Sequence, residues 1–157
     1  MDKTYRITRS QQLPCDIHTA WAFFSIPASL TKITPPDMKF IAKSEIADQP
    51  VYEGMVLDFH VSPLFGIRMR WRSQITQVDA PYSFTDVQTK GPFKLWRHRH
   101  EYTANAEGVL VLDTVDYQLP FGPLGRLAHG LVRKNLEKLF DYRNQTLERI
   151  LGQRISG

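Results

Sequence analysis

Residues 82–119 read YSFTDVQTKGPFKLWRHRHEYTANAEGVLVLDTVDYQL. Gly91-Pro92 and Glu107-Gly108 cut this stretch into three runs rich in β-branched and aromatic residues, 82–90, 94–105 and 109–119, each of strand length. Connectors this short demand antiparallel pairing. Successive side chains of a strand point to opposite faces, so the charged residues decide which face is which. Arg97, Arg99 and Glu101 take the water side, which turns Trp96, His98, His100 and Tyr102 inward. Tyr82 and Phe84 share a face with Asp86 and Gln88, and Val109, Val111, Val115 and Leu119 share one with Asp113 and Tyr117. Centring one turn on Pro92 sets Asp86 opposite His98 and Gln88 opposite Trp96. Centring the next near Ala106-Glu107 sets His100 opposite Asp113 and Trp96 opposite Tyr117.

Working outward, the same signals predict strands near 4–13, 39–47, 55–62 and 66–79. Over 67–75, Arg68, Arg70, Arg72 and Gln74 face water while Ile67, Met69, Trp71, Ser73 and Ile75 face inward. Over 55–61, Met55, Leu57, Phe59 and Val61 go in, leaving Asp58 and His60 outside. Two regions break the strand pattern. Residues 16–33 open on Asp16, a candidate N-cap, and carry Ile17, Ala20, Trp21 and Phe24 at helical spacing; the Ile26-Pro27 step divides them into two short helices. From Leu124 to Leu151 no proline interrupts a stripe of Leu127, Leu131, Leu136, Leu139, Phe140, Tyr142, Leu147, Ile150 and Leu151, which predicts one long helix. The expected class is α+β: a seven-stranded antiparallel sheet wrapped around a long C-terminal helix, with two short helices after the first strand.

Composition agrees. At 157 residues the chain suits one domain, 1–157, whose core needs no staple. A single cysteine, Cys15, excludes a disulfide framework and a Cys-rich zinc module. With 42% hydrophobic and 23% charged residues the chain is not of disordered composition. No stretch approaches the ~18 apolar residues of a membrane span. The first residues lack an apolar signal core, which points to the cytoplasm. A net charge of +4 permits an anionic partner without demanding one.

Several motifs carry a resemblance. Ile33-Thr34-Pro35-Pro36, Glu53-Gly54, Trp71 with Ile75, Phe84-Thr85-Asp86-Val87-Gln88 and Gly91-Pro92-Phe93 occur in order. Trp96-Arg97-His98-Arg99-His100, Asp113-Thr114-Val115-Asp116-Tyr117, Pro120-Phe121-Gly122-Pro123-Leu124-Gly125 and Phe140-Asp141-Tyr142-Arg143 follow. Together they resemble a bacterial ligand-binding subfamily of the START-like, birch-pollen-allergen-like superfamily known as SRPBCC, which has a helix-grip fold. The resemblance implies a cavity between sheet and helix that holds an apolar or amphipathic small molecule. It does not name that molecule, because the superfamily includes carriers, hormone receptors, cyclases and dehydratases.

The inner face supplies the candidate ligand-binding residues Trp71, Phe84, Asp86, Gln88, Trp96, His98, His100, Tyr102, Asp113 and Tyr117. Asp86, His98, His100 and Asp113 have four readings: a self-satisfied polar floor, a ligand anchor, a His–Asp acid–base pair, or a metal site. The metal reading is the weakest, since His-x-His with two aspartates matches no known motif, and no cofactor is expected. The arginines at 68, 70, 72, 97 and 99 read as the solvated face of a sheet. No strand aromatic interleaves with them, which argues against nucleic acid. Arg126, Arg133, Lys134, Lys138, Arg143, Arg149 and Arg154 read as a solvated helix face, with contact to a membrane surface or acidic partner behind it. Cys15, three residues from His18, reads as structural.

The leading expectation is a cytoplasmic binding protein for an apolar or aromatic molecule such as a lipid, quinone or polyketide-like compound, entering near Ile33–Asp37, the hairpin loops and the start of the long helix. The rivals are a cyclase- or dehydratase-type enzyme using a His–Asp pair, and an interaction module using the basic outer surface.

Overall fold

The computed structural model describes residues 2–43, 45–62 and 66–152. Seven strands form one antiparallel sheet: β1 (Tyr5–Leu13), β2 (Ile41–Ala42), β3 (Val56–Val61), β4 (Met69–Asp79), β5 (Ser83–Lys90), β6 (Leu95–Asn105) and β7 (Gly108–Gln118). Their spatial order is β1-β7-β6-β5-β4-β3-β2. Strands β2 to β7 thus form a meander, and β1 returns to the free edge of β7. The helices are α1 (Ile17–Phe24), α2 (Gly122–Leu127) and α3 (His129–Leu151). None is long and apolar enough to cross a membrane.

The first helical region forms as its sequence dictates. The Asp16 carboxylate accepts the Thr19 amide at 2.8 Å and caps α1. The chain then breaks at Ile26, and Pro27–Lys32 continues as a 3-10 helix. Strand β1 holds α3 against the sheet. The Gln11 amide donates to the Asn144 carbonyl at 2.7 Å, and the Arg9 guanidinium pairs with Asp141. Two apolar clusters result. One joins α1 to β3, β4, β5, β6 and β7 around Leu57, Ile75, Phe84, Tyr102 and Val109. The other joins β1, β6 and β7 to α3 around Ile7, Trp96, Val115, Tyr117 and Phe140.

Four expectations need correction. The second strand is two residues long, pairing Ile41 with His60 and Ala42 with Phe59, rather than spanning 39–47. Lys39 sits in left-handed backbone, and Glu45–Asp48 turns as a 3-10 helix, which leaves little chain to pair; Ser44 lies outside the described residues. The long helix is divided at Ala128 into α2 and α3, so its first turns project past the sheet. Leu127 and Leu131, assigned to the buried stripe, are therefore exposed, and so is Ile150 in the last turn of α3. Finally, Ile67 and Tyr82 are exposed, because each lies just outside its strand, where alternation no longer applies.

The outer face carries ion pairs, two of them across strands and one along β6. Arg72 forks onto Asp58 at 2.9 and 3.2 Å, Arg6 onto Asp116 at 2.7 and 2.9 Å, and Arg99 meets Glu101 at 3.0 Å. Arg6, Arg72 and Arg99 are thus matched by carboxylates, while Arg68 meets His60.

Candidate functional site: a cavity with a polar wall

A cavity of about 480 Å³ lies between the sheet and α3, with Trp71, which packs against both apolar clusters, in its wall. Trp71 on β4 and Trp96 on β6 wall one side, edge to face at 5.2 Å. Leu136 and Leu139 of α3 face them. Phe121 and Leu124 line the cavity yet are mostly exposed, so the opening lies at the turn into α2, beside Pro92 and Phe93 of the β5–β6 hairpin.

One end of the cavity is polar. Registers match the sequence reading: Asp86 opposes His98, His100 opposes Asp113, and Trp96 opposes Tyr117. The hydrogen bonds, however, run diagonally. The His98 Nε2–H donates to Asp113 Oδ1 at 2.7 Å, and the His100 Nε2–H donates to Asp86 Oδ2 at 2.7 Å. Residues two apart on the same face are within reach of a long side chain, and the imidazoles exploit that. The two rings stack on each other at 3.7 Å, Phe84 covers the far face of His100 at 4.1 Å, and Phe140 meets His98 by its edge. Two Asp–His dyads are thus clamped inside an aromatic stack.

Electrostatics follow from that packing. Burial would raise the Asp113 carboxyl, but the His98 hydrogen bond, with the charges of His98, His100 and Arg143, outweighs it and holds the group at about 2. Asp86 is likewise held down: burial opposes ionisation, while His100, His98 and Arg143 favour it. His100 is lowered, first by burial and then by the charge of its stacked neighbour His98, despite the aspartates. Both carboxylates accept from an Nε2–H, and the His100 Nδ1 lies 3.5 Å from Asp113 Oδ1, so Asp113 faces both rings.

Asp86, His98 and His100 each offer a ligand atom within 4.8 Å of the others, the spacing of a mononuclear metal site. The ring orientation does not suit one. A metal lies in the plane of each imidazole it binds, and near-parallel rings 3.7 Å apart cannot aim both lone pairs at one ion. The set as it stands serves proton handling better than coordination.

Of the sequence candidates, Trp71, Asp86, Trp96, His98 and His100 line the cavity. The others lie behind the wall. Asp113 backs His98, and Phe84 backs His100. Tyr102 packs on Phe24 and Trp21 in the core, its hydroxyl pushed well up by burial. The Tyr117 hydroxyl hydrogen-bonds His129 Nε2 at 2.9 Å, tying β7 to the start of α3. Gln88 does not oppose Trp96 in the ladder. Its amide bonds both backbone groups of Phe93, donating at 2.6 Å and accepting at 3.1 Å, and so closes the hairpin. Burial pushes the Cys15 thiol up, which leaves it unactivated, in line with a structural cysteine.

The residue that sequence reading misplaced is Arg143. It was expected among the solvated cations of the helix, yet it is only 8% exposed and lines the cavity; Arg154 of that group lies outside the described residues. The signal was present in the spacing. Leu136, Phe140, Arg143 and Leu147 follow one another by four, three and four residues, and all are buried.

No family model and no curated protein sequence matches the chain. Solved structures do. Protein CV1439 from Chromobacterium violaceum matches with a TM-score of 0.68 at 12% identity, over 95% of this chain and 99% of that one. An AHSA1-like protein from Aeromonas hydrophila matches at 0.64 and 13%, over 98% and 99%. Major latex-like protein 151 from Panax ginseng matches at 0.58 and 20%, over 86% and 96%. At these identities the likeness is one of fold. The chain has the helix-grip fold that its motifs resemble, and its chemistry must be read from the cavity.

Proposed function

We propose that the protein binds an apolar or amphipathic small molecule, of lipid, quinone or polyketide-like size, in the cavity between sheet and α3, and acts in the cytoplasm. The observation that carries this reading is the cavity itself. At about 480 Å³ it falls within the range of small-molecule sites, roughly 300–1,000 Å³. Its lining is mainly hydrophobic, with polar groups converging at one end, the pattern that lets an apolar body supply affinity and a few hydrogen bonds supply orientation. Leaving such a volume unfilled forfeits packing energy, so retaining it favours a role in binding. Organic extraction of the purified protein followed by mass spectrometry tests this. A compound enriched over a cavity-filled Leu139→Trp control supports the reading, and identical extracts from both proteins oppose it.

A second reading, proton-transfer catalysis of the cyclase or dehydratase kind, is favoured by one observation: both histidines line the cavity, each oriented by a carboxylate. His98, held from Nε2 by Asp113, is left with Nδ1 to take a proton from carbon next to a carbonyl, whereas His100 Nδ1 lies 3.5 Å from Asp113. Deuterium exchange alpha to the carbonyl of a bound aryl ketone, lost in His98→Gln, would support it. Exchange at the solvent rate would exclude it for that substrate class.

A further inference from the structure

Every charged group on the polar wall has a hydrogen-bond partner except one. Asp86 and Asp113 accept from imidazoles, and the imidazoles donate to them. Arg143 makes no hydrogen bond and no ion pair among the described residues, and its Nε is sealed from solvent with nothing to accept its proton. Its guanidinium carbon lies over the Phe140 ring at 5.1 Å. A guanidinium carries five N–H donors in a rigid fork, and a buried donor left unmet costs about 1–3 kcal/mol. The aspartates do not relieve it. Their charges act on Arg143 across the cavity end, but neither has an oxygen within ion-pair distance, and both already accept from a histidine.

We infer that Arg143 is the cavity's ligand anchor and that it takes the carboxylate of an amphipathic acid, whose apolar body lies along Trp71 and Trp96. This inference deepens the binding function proposed above and rests on it. The chemistry selects an acid because the planar fork matches the two oxygens of a carboxylate, forming two parallel charge-assisted bonds, whereas an alcohol or ester oxygen engages it singly and without charge. The position selects the orientation. Arg143 belongs to the polar end with the dyads, while Phe121 and Leu124 mark the open end, so the carboxylate enters first and the apolar tail fills the space behind it.

The test uses two fluorescent probes that differ only at the head, pyrenebutyric acid and pyrenebutanol, titrated into wild-type protein, Arg143→Met and Arg143→Lys. Wild type is expected to bind the acid about tenfold or more tightly than the alcohol, the worth of a charge-assisted bond. Arg143→Met is expected to lose that preference, weakening the acid and leaving the alcohol unchanged, and Arg143→Lys to restore part of it. The thermal midpoint separates anchoring from a structural role. Removing an unbonded buried cation should leave stability unchanged or raised, whereas removing an essential counter-charge for Asp86 and Asp113 should lower it. Equal binding of both probes by wild type, or a preference that survives in Arg143→Met, overturns the anchor and leaves the cavity reading standing. A lowered thermal midpoint in Arg143→Met, with the preference intact, assigns the residue to charge balance instead. Failure of wild type to bind either probe overturns the cavity reading and the anchor together.

Discussion

Replacing Asp113 by Asn removes one charge from the polar wall and little else. The asparagine oxygen still accepts the His98 Nε2–H, which now sits 2.7 Å from the carboxylate, so the substitution imitates the protonated acid. The folded protein holds that carboxyl at about 2 against an ordinary 3.8. Each pH unit between those values is worth roughly 1.4 kcal/mol, so ionised Asp113 stabilises the fold by about 2 kcal/mol at neutral pH. Because the folded value lies below the unfolded one, this contribution is full above about pH 5, roughly half gone at pH 3 and absent below about pH 2. His100 adds to acid sensitivity in both proteins. Its folded value is lowered, so the unfolded chain takes up that proton first, and stability falls as the pH drops below its ordinary 6.5. The comparison is therefore between proteins at one pH. Urea denaturation followed by tryptophan fluorescence should show the Asn variant about 2 kcal/mol less stable at pH 7, a midpoint shift of about 1 M, and about 1 kcal/mol less stable at pH 3. Equal midpoints at pH 7, or a gap that does not narrow by pH 3, would refute the charge argument.

His98→Ala and His100→Ala should each cost about 1–3 kcal/mol by leaving a desolvated aspartate unmet, and a loss under about 0.5 kcal/mol in both would reject their buried pairing. In single-tryptophan variants Trp71 and Trp96 should emit at blue-shifted wavelengths, resist iodide and be quenched by pyrenebutanol; Trp21, packed on Phe84 and Tyr102, should respond only weakly to the probe. Gly125→Ala should lose about 2 kcal/mol or more, since the added carbon would lie 2.0 Å from the Pro120 carbonyl, whereas Gly130→Ala meets open space and should gain up to about 1 kcal/mol. A reversal of that order in thermal melts would contradict the packing of α2 against the turn that precedes it.

The faces of β4, β6 and β7 were legible because arginines alternate with large apolar residues, and hairpin turns at Pro92 and Glu107 set their register. Pairing within the polar wall was not, because opposition of Cα atoms does not decide which carboxylate an imidazole reaches. His98 passes over the Asp86 opposite it to bond Asp113, and His100 does the reverse. Alternation also failed at Ile67 and Tyr82, where the backbone is outside the ladder. Arg143 was missed for a different reason. Residue type argued for solvent while helical spacing argued for the buried stripe, and spacing won because α3 lies flat against β1 through Arg9 and Gln11. The cavity itself depends on how far α3 stands from the sheet, which no pattern along the sequence encodes.

The most direct test of the account is a proton–nitrogen correlation NMR titration of the wild-type protein with pyrenebutanol, a neutral probe that does not depend on Arg143. The cavity account predicts saturable shifts at the amides of Trp71, Trp96, His98, His100 and Leu136, with the outer-face residues Arg6, Arg72 and Asp116 unmoved. Shifts confined to the outer face, or none at the cavity-lining amides as the probe is raised to its solubility limit, would contradict it.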